Sequence, residues 1–108
     1  MSSTIPVIDA PTAKQWLDKQ EAILIDVREP AEYAAQHITG ATLIPLGAIQ
    51  PNTLPPLQHK KLIIHCQLGK RGGMACEKLL AIDPTIELYN LEGGIVAWQQ
   101  AGLPTESK

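Results

Sequence analysis

The chain alternates short apolar runs with stretches in which apolar residues recur every three or four positions. The runs predicted to form β-strands cover residues 7–8, 22–26, 41–44, 62–65 and 86–91. The runs at 22–26 and 62–65 are almost unbroken, as is typical of strands buried on both faces of a sheet. Because helical patterns lie between the runs, the alternation predicts an α/β fold with a parallel sheet and crossover helices.

Four amphipathic stretches are predicted to be helices, beginning at residues 12, 30 and 73 and just after 93–94. Pro11 suits the entry of the first helix, and Tyr33 and Ala34 are expected to face inward on the second. The third helix is predicted to run to residue 82, where Asp83–Pro84 stops it. Residues 45–56 hold four prolines and little periodicity, so this segment is predicted to be mostly loop with one helical turn.

The composition is that of one globular domain, predicted over residues 1–108. Hydrophobic residues make up 44% of the chain and charged residues 19%, which favours a packed core over disorder. The formal net charge of -2 predicts no broad attraction to nucleic acid or to anionic membranes. Residues 1–11 contain no basic leader followed by a long apolar stretch, so we expect neither a signal peptide nor a membrane anchor, and a cytoplasmic location.

The two cysteines, Cys66 and Cys76, are expected to be free thiols. A turn and a helix start are predicted between them, and a reducing compartment disfavours a structural disulfide. Cys76 shares an apolar helix face with Leu79 and Leu80, so it is predicted to be a core residue. No Cys-x-x-Cys pair occurs and the three histidines lack metal-ligand spacing, so no metal site is expected.

Cys66 directly follows the predicted strand 62–65, at the sheet edge where open α/β folds bind ligands. The candidate site residues after it are Gln67, Leu68, Gly69, Lys70, Arg71 and Gly72. Such a glycine-rich segment can turn successive backbone N–H groups towards one point, and the start of the next helix adds positive potential. Together with the two cations, these groups favour a reactive thiolate over the small buried hydrophobe that a free cysteine usually is. The thiolate would attack a sulfane sulfur and become a persulfide, while Lys70 and Arg71 would attract anionic donors.

Three blocks of the sequence resemble signatures of the rhodanese family of sulfurtransferases, in its single-domain form. They are LIDVREPAEYAAQHITGATLIPL at 24–46, HCQLGKRG at 65–72 and LEGGIVAWQQAGLP at 91–104. The resemblance implies a three-layer α/β/α fold with a five-stranded, mainly parallel sheet flanked by helices. It implies Cys66 as the persulfide-forming residue and no bound metal or organic cofactor.

The resemblance also implies supporting roles around the loop. Asp26 and Arg28 are expected to lie near the loop and help to hold it, and Gly93–Gly94 to let the backbone approach the pocket closely. Gly72 stands where the family often has serine or threonine, so a hydroxyl that would cap the helix or contact the persulfide is missing.

The activity implied is that of a thiosulfate sulfurtransferase, with a small anionic donor such as thiosulfate or a persulfide and a thiol or cyanide as acceptor. The acceptor thiol can belong to a partner protein. Two alternatives stay open, namely a non-catalytic binding or regulatory module and a phosphatase or arsenate reductase. The relatives with phosphatase or reductase activity have five residues between the cysteine and the arginine, whereas four separate Cys66 from Arg71, which favours sulfur transfer.

Other polar residues also have structural interpretations. Arg28 is expected to form a surface ion pair with Glu29 or Glu32, as an alternative to the supporting role. His65 precedes Cys66, and the alternation of side chains along a strand turns it to the opposite face, so it is a poor candidate for a base. The remaining predictions are a turn position for His37, solvent exposure for His59 and core positions for Trp16 and Trp98.

Overall fold

A five-stranded parallel sheet forms the centre of the protein, which a computed structural model describes over residues 5–107. Residues 1–4 and 108, part of the predicted domain, lie outside this range. The sheet strands are β1 (Val7–Ile8), β2 (Ala22–Asp26), β4 (Thr42–Leu43), β5 (Lys61–His65) and β6 (Leu88–Leu91). Their order across the sheet is β1-β6-β5-β2-β4, and every neighbouring pair is parallel. The predicted α/β class and five-stranded sheet are therefore confirmed.

Four α-helices lie within residues 5–107, and the first three of them connect strands of this sheet. They are α1 (Ala10–Asp18), α2 (Pro30–Ala35), α3 (Lys70–Ile82) and α4 (Gly94–Gln100), with one 3-10 turn at Pro51–Thr53. Helix α1 begins where the Asp9 carboxylate accepts a hydrogen bond of 2.9 Å from the Thr12 N–H, as an N-cap residue does. None of the helices in residues 5–107 is long and apolar enough to cross a membrane.

Each central strand contributes alternate side chains to two apolar layers. On β2, Leu24 joins the layer under α1 and α4, whereas Ile25 joins the layer under α3. On β5, Ile63 and Ile64 divide in the same way. This two-sided burial explains why both segments lack polar alternation in the sequence. Trp98 on α4 is 1% exposed and is the core residue that was expected.

Two local predictions were wrong, and a third, the core position of Trp16, was met only in part. His37 lies in strand β3 (His37–Ile38) and not in a turn, and β3 pairs antiparallel with β7 (Thr105–Glu106) in a small second sheet. Strands of two residues are too short to leave a periodic pattern. Ala34 is exposed, because the short helix α2 turns only part of its surface towards the core. Trp16 is only partly buried, with its ring edge-on to Tyr89.

Helix α3 begins at Lys70, three residues before the predicted start at residue 73. Lys70, Arg71 and Gly72 therefore form the first helical turn and not the end of a loop. The turn is entered through Gly69, whose φ of +121° lies in a region that only glycine adopts readily. The Gly73 N–H then donates to the Gly69 carbonyl at 3.0 Å, which is the first regular bond of the helix.

Candidate active site

Cys66 lies directly after β5, and two backbone N–H groups donate hydrogen bonds to its sulfur. The Gly69 nitrogen is 3.0 Å from Sγ and the Gly72 nitrogen is 3.2 Å from it. The first N–H groups of a helix have no partner within the helix, and Gly69 has no side chain to supply one. The sulfur takes this capping position, so positive backbone dipoles converge on it.

The start of helix α4 holds the backbone of the same loop. The Ile95 N–H donates to the Cys66 carbonyl at 2.9 Å, and the Val96 N–H to the Gln67 carbonyl at 3.3 Å. Gly94 makes this approach possible, because a Cβ atom there would lie 2.4 Å from both carbonyl oxygens. The close backbone approach expected at Gly93–Gly94 is therefore present.

Asp26 and Arg28 form a buried ion pair beside the loop. The Asp26 side chain is fully buried and the Arg28 residue is 3% exposed. The Arg28 guanidinium donates to both carboxylate oxygens of Asp26 through Nε and Nη2, at 2.9 to 3.1 Å. Its Nη1 donates to the Gln67 side-chain oxygen at 3.3 Å, and its Nη2 to the Gln36 carbonyl at 2.6 Å.

The expected surface pair of Arg28 with Glu29 or Glu32 is wrong. Residues two apart on an extended segment point the same way, which lets Arg28 fold back onto Asp26. A buried guanidinium requires several acceptors, and Asp26, Gln36 and Gln67 supply them. Arg28 thus contacts the cysteine loop, which is the position that the family resemblance implied.

Arg71 is the residue that pairs with Glu32. Its guanidinium donates to both carboxylate oxygens, at 2.7 and 2.9 Å. These bonds lower the pKa of Glu32 to about 2, so the carboxylate is ionised at neutral pH. Lys70 is exposed and forms no salt bridge within residues 5–107. Of the two cations expected to act at the sulfur, one is therefore tied to helix α2.

His65 is fully buried on the side of Asp26. Its Nε2 lies 3.4 Å from the Asp26 carboxylate, and its Nδ1 lies 3.1 Å from the Cys66 carbonyl oxygen. Burial lowers the pKa of His65 below its ordinary value. Both ring nitrogens face groups other than the Cys66 sulfur, which agrees with the expectation that His65 is a poor base for this thiol.

Asn90 belongs to the site, although it was not among the residues predicted from the sequence. It lies on β6, is 9% exposed, and donates from Nδ2 to the Gly69 carbonyl at 2.9 Å. In the sequence, Asn90 is a polar residue inside an otherwise apolar strand. Its role could be assigned only after the neighbouring strand and helix were known.

The loop opens to solvent through Gln67 and Leu68, and the Leu68 residue is 68% exposed. A cavity of about 260 Å³ adjoins it between α2 and α4, with Arg28, Glu32 and Gln67 among its lining residues. This volume is below the roughly 300 to 1,000 Å³ of typical ligand pockets, so the cavity suits only a small ligand.

Cys76 lies on the buried face of α3, where the structure agrees with the predicted core position. The residue is fully buried within the apolar layer under α3. Burial raises the pKa of its thiol to about 12. Cys76 is therefore a protonated thiol at neutral pH.

Comparisons with known proteins agree with this arrangement. A family model described as "Rhodanese-like domain" matches residues 9–101. The chain is 42% identical over 106 residues to an uncharacterized protein of Synechocystis sp., covering 96% of this chain and 58% of that protein. It is 34% identical over 98 residues to a sulfurtransferase of Allochromatium vinosum, covering 90% and 91% of the two chains.

The structure also resembles that of a rhodanese-related protein from Thermoplasma volcanium, with a TM-score of 0.80 at 25% identity and coverage of 95% and 99%. The chain thus spans little more than half of the Synechocystis protein and nearly all of the other two.

Proposed function

Because this chain belongs to the rhodanese-like family, whose model matches residues 9–101, we propose that it is a sulfurtransferase that carries sulfane sulfur on Cys66. The observation that carries the proposal is the pair of N–H donors, from Gly69 and Gly72, directed at one sulfur atom. A cysteine that served only as a small apolar residue would not need polar hydrogens at its sulfur. The sulfurtransferase of Allochromatium vinosum supports the same reaction class.

The proposed reaction has two displacement steps. The Cys66 thiolate attacks the outer sulfur of a donor such as thiosulfate, the S–S bond of the donor breaks, and sulfite leaves with the bonding electron pair. The acceptor, a thiolate or cyanide, then attacks the terminal sulfur of the Cys66 persulfide. The Cys66 thiolate leaves with its electron pair, and the protein returns to its starting state.

The residues around Cys66 have separate tasks in this scheme. Gly69 and Gly72 stabilise negative charge on sulfur in the thiolate and in the persulfide, as backbone donors do in oxyanion holes. Lys70 attracts an anionic donor, whereas Arg71 keeps α3 in place through Glu32. Gln67 and Leu68 border the entrance, where a small acceptor or a partner protein thiol arrives.

Asp26 and Arg28 are the supporting residues, and this pair contacts the Cys66 loop at Gln67. Arg28 holds the Gln67 side chain and is itself held by Asp26. The hydrogen bonds to the Cys66 sulfur within residues 5–107 come from Gly69 and Gly72 and not from this pair. The reaction suits a reducing compartment such as the cytoplasm, since an oxidising one would consume the free thiol.

Intact mass spectrometry tests this proposal directly. Incubation of the purified protein with thiosulfate should add the mass of one sulfur atom, and dithiothreitol should remove it. Cys66→Ala should abolish both this adduct and thiocyanate formation from thiosulfate and cyanide, whereas Cys76→Ala should retain both. If the wild-type chain forms neither adduct nor thiocyanate, and a persulfide donor also fails, the chain is a binding or regulatory module. Hydrolysis of an aryl phosphate or reduction of arsenate that depends on Cys66 would favour the phosphatase or reductase alternative.

A further inference from the structure

We propose that Asn90 is a positioning residue that sets the distance between the Cys66 sulfur and both of its N–H donors. This inference rests on the proposed function of Cys66, because it concerns the reactivity of that sulfur. Asn90 lies on β6, the strand beside β5, and its side chain reaches under the first turn of α3. It contacts the two residues that supply the donors, Gly69 and Gly72.

The first contact is a hydrogen bond to Gly69. The Asn90 Nδ2 donates to the Gly69 carbonyl at 2.9 Å, while the Gly69 N–H donates to the Cys66 sulfur at 3.0 Å. The orientation of the amide follows from the acceptor, because a carbonyl oxygen cannot donate. Gly69 thus accepts a hydrogen bond from Asn90 and donates one to the Cys66 sulfur. A displacement of Asn90 would therefore move the Gly69 N–H relative to the sulfur.

The second contact is steric and involves Gly72. A Cβ atom at this position would lie 2.2 Å from the Asn90 Oδ1 and 3.2 Å from its Cγ. Gly72 has no positive φ, so its backbone would accept any residue. The glycine is needed because the Asn90 amide fills the space of a side chain. Gly72 and Asn90 therefore form a matched pair, and Gly72 supplies the second N–H to sulfur at 3.2 Å.

The third observation is that Asn90 is not optimised for stability. Its Oδ1 is buried and has no hydrogen-bond partner within residues 5–107, and a buried acceptor without a partner is destabilising. The Gly69 carbonyl keeps a second donor, the Gly73 N–H at 3.0 Å, if Asn90 is removed. Leucine has nearly the shape of asparagine, so Asn90→Leu should not reduce the stability of the fold. What it should remove is the hydrogen bond that places the Gly69 donor.

The test combines Asn90→Leu with a control, Asn52→Leu, in the exposed turn Pro51–Thr53. The readout is the pH profile of Cys66 alkylation by iodoacetamide, followed by peptide mass spectrometry. We expect Asn90→Leu to unfold at or above the wild-type temperature, to shift this profile to higher pH, and to transfer sulfur about 10-fold more slowly, since a displaced donor costs less than a deleted one. Asn52→Leu should match the wild type. A folded Asn90→Leu variant with an unchanged pH profile would overturn the inference.

A second pair of variants keeps the test decisive if Asn90→Leu does not fold. Gly72→Ala should destabilise the protein through its clash with Asn90, and Asn90→Ala in the same chain should relieve the clash, because the next atom, the Cys66 nitrogen, is 3.7 Å away. We expect the double variant to regain thermal stability but not the wild-type alkylation profile. If the double variant regains both the thermal stability and the alkylation profile of the wild type, Asn90 does not position the donors. Alkylation requires no sulfur donor, so a wild-type protein that forms no persulfide would refute the proposed function without deciding this question.

Discussion

Cys66 and Cys76 are almost equally buried, at 1% and 0% exposure, and both lie against the apolar layer under helix α3. Their sulfur atoms nevertheless have different surroundings. Cys66 comes before the helix, where the N–H groups of Gly69 and Gly72 lack helical partners and donate to its sulfur. Cys76 comes within the helix, where backbone N–H groups bond to preceding carbonyls. Burial there raises the pKa of its thiol to about 12.

Burial alone therefore does not determine the chemistry of a cysteine. An apolar environment disfavours the thiolate unless dipoles are oriented towards it beforehand. The start of a helix provides such dipoles and its interior does not. One helix therefore holds an inert thiol in its body and a candidate nucleophile at its entrance, ten residues apart in the sequence.

The two cysteines should differ most in their rates of alkylation. At pH 7 a thiol with a pKa of about 12 is ionised in roughly one molecule in 10⁵. Native protein treated with iodoacetamide should therefore be labelled at Cys66 at least about 100-fold faster than at Cys76. Peptide mass spectrometry over a time course measures both rates. Denaturation in guanidinium should make the two rates similar. Equal rates in the native protein would show that the helix start does not make Cys66 more reactive than Cys76.

A substitution that disturbs only the Cys66 side should have the next largest effect. Gly94→Ala would place a Cβ 2.4 Å from the carbonyl oxygens of Cys66 and Gln67, at a residue with φ of +58°. We expect a loss of about 3 kcal/mol in the free energy of unfolding by urea, since overpacking and a left-handed residue both contribute. Thiocyanate formation should fall by about 10-fold or more, since the loop is displaced.

Two glycines serve as matched controls for Gly94→Ala. Gly102 has φ of +75° but nothing within 4 Å of the position that a Cβ atom would occupy, and Gly47 has neither a positive φ nor a neighbour within 4 Å. Gly102→Ala should cost about 1 kcal/mol from backbone strain alone, and Gly47→Ala less than about 0.5 kcal/mol. A Gly94→Ala variant no less stable than Gly102→Ala would show that the close contact with the loop is unimportant.

Most of the fold could be predicted because two-sided burial leaves a direct trace in the sequence. The strands at 7–8 and 22–26 have the predicted limits, and the helix stop at Asp83 was correct. The start of α3 was missed because glycines were interpreted as loop residues. Gly72 is helical, and its missing side chain makes room for Asn90. A glycine retained for packing looks the same in the sequence as one retained for a turn.

The site could be predicted only where its parts are adjacent in the chain. Cys66 and its loop form one segment, which the sequence places after a buried strand. The partners of Arg28 and Arg71 depend on which strands and helices are neighbours. Glu32 was predicted as a partner of Arg28, but it pairs with Arg71, and Arg28 pairs with Asp26. Asn90 lies 21 residues from Gly69, which it contacts. The sequence shows Asn90 as a polar residue in an apolar strand, but it does not show that Gly69 is its partner.

The smallest expected effect concerns the ion pair that joins the first turn of α3 to α2, beside Cys66. Arg71 lowers the pKa of Glu32 from 4.5 to about 2 in the folded protein, so the unfolded state binds a proton at higher pH than the folded state does. The pair therefore stabilises the fold fully above about pH 5, and this contribution is lost as the pH falls from 4.5 towards 2. The two side chains are 33% and 34% exposed, so solvent screening limits the effect to less than about 1 kcal/mol.

Urea unfolding at pH 6 and at pH 3 measures this contribution. Glu32→Gln should lower the unfolding free energy slightly at pH 6 and less at pH 3. The unfolding free energies of the wild type and of Glu32→Gln should therefore become more similar in acid. Glu77→Gln is the matched control, because Glu77 is exposed on α3 and forms no salt bridge within residues 5–107. For each variant, the measured quantity is the difference in unfolding free energy from the wild type. If this difference is the same at pH 6 and at pH 3 for Glu32→Gln as well as for Glu77→Gln, the ion pair does not stabilise the Cys66 end of α3. The difference between the two cysteines would then depend on the backbone donors alone.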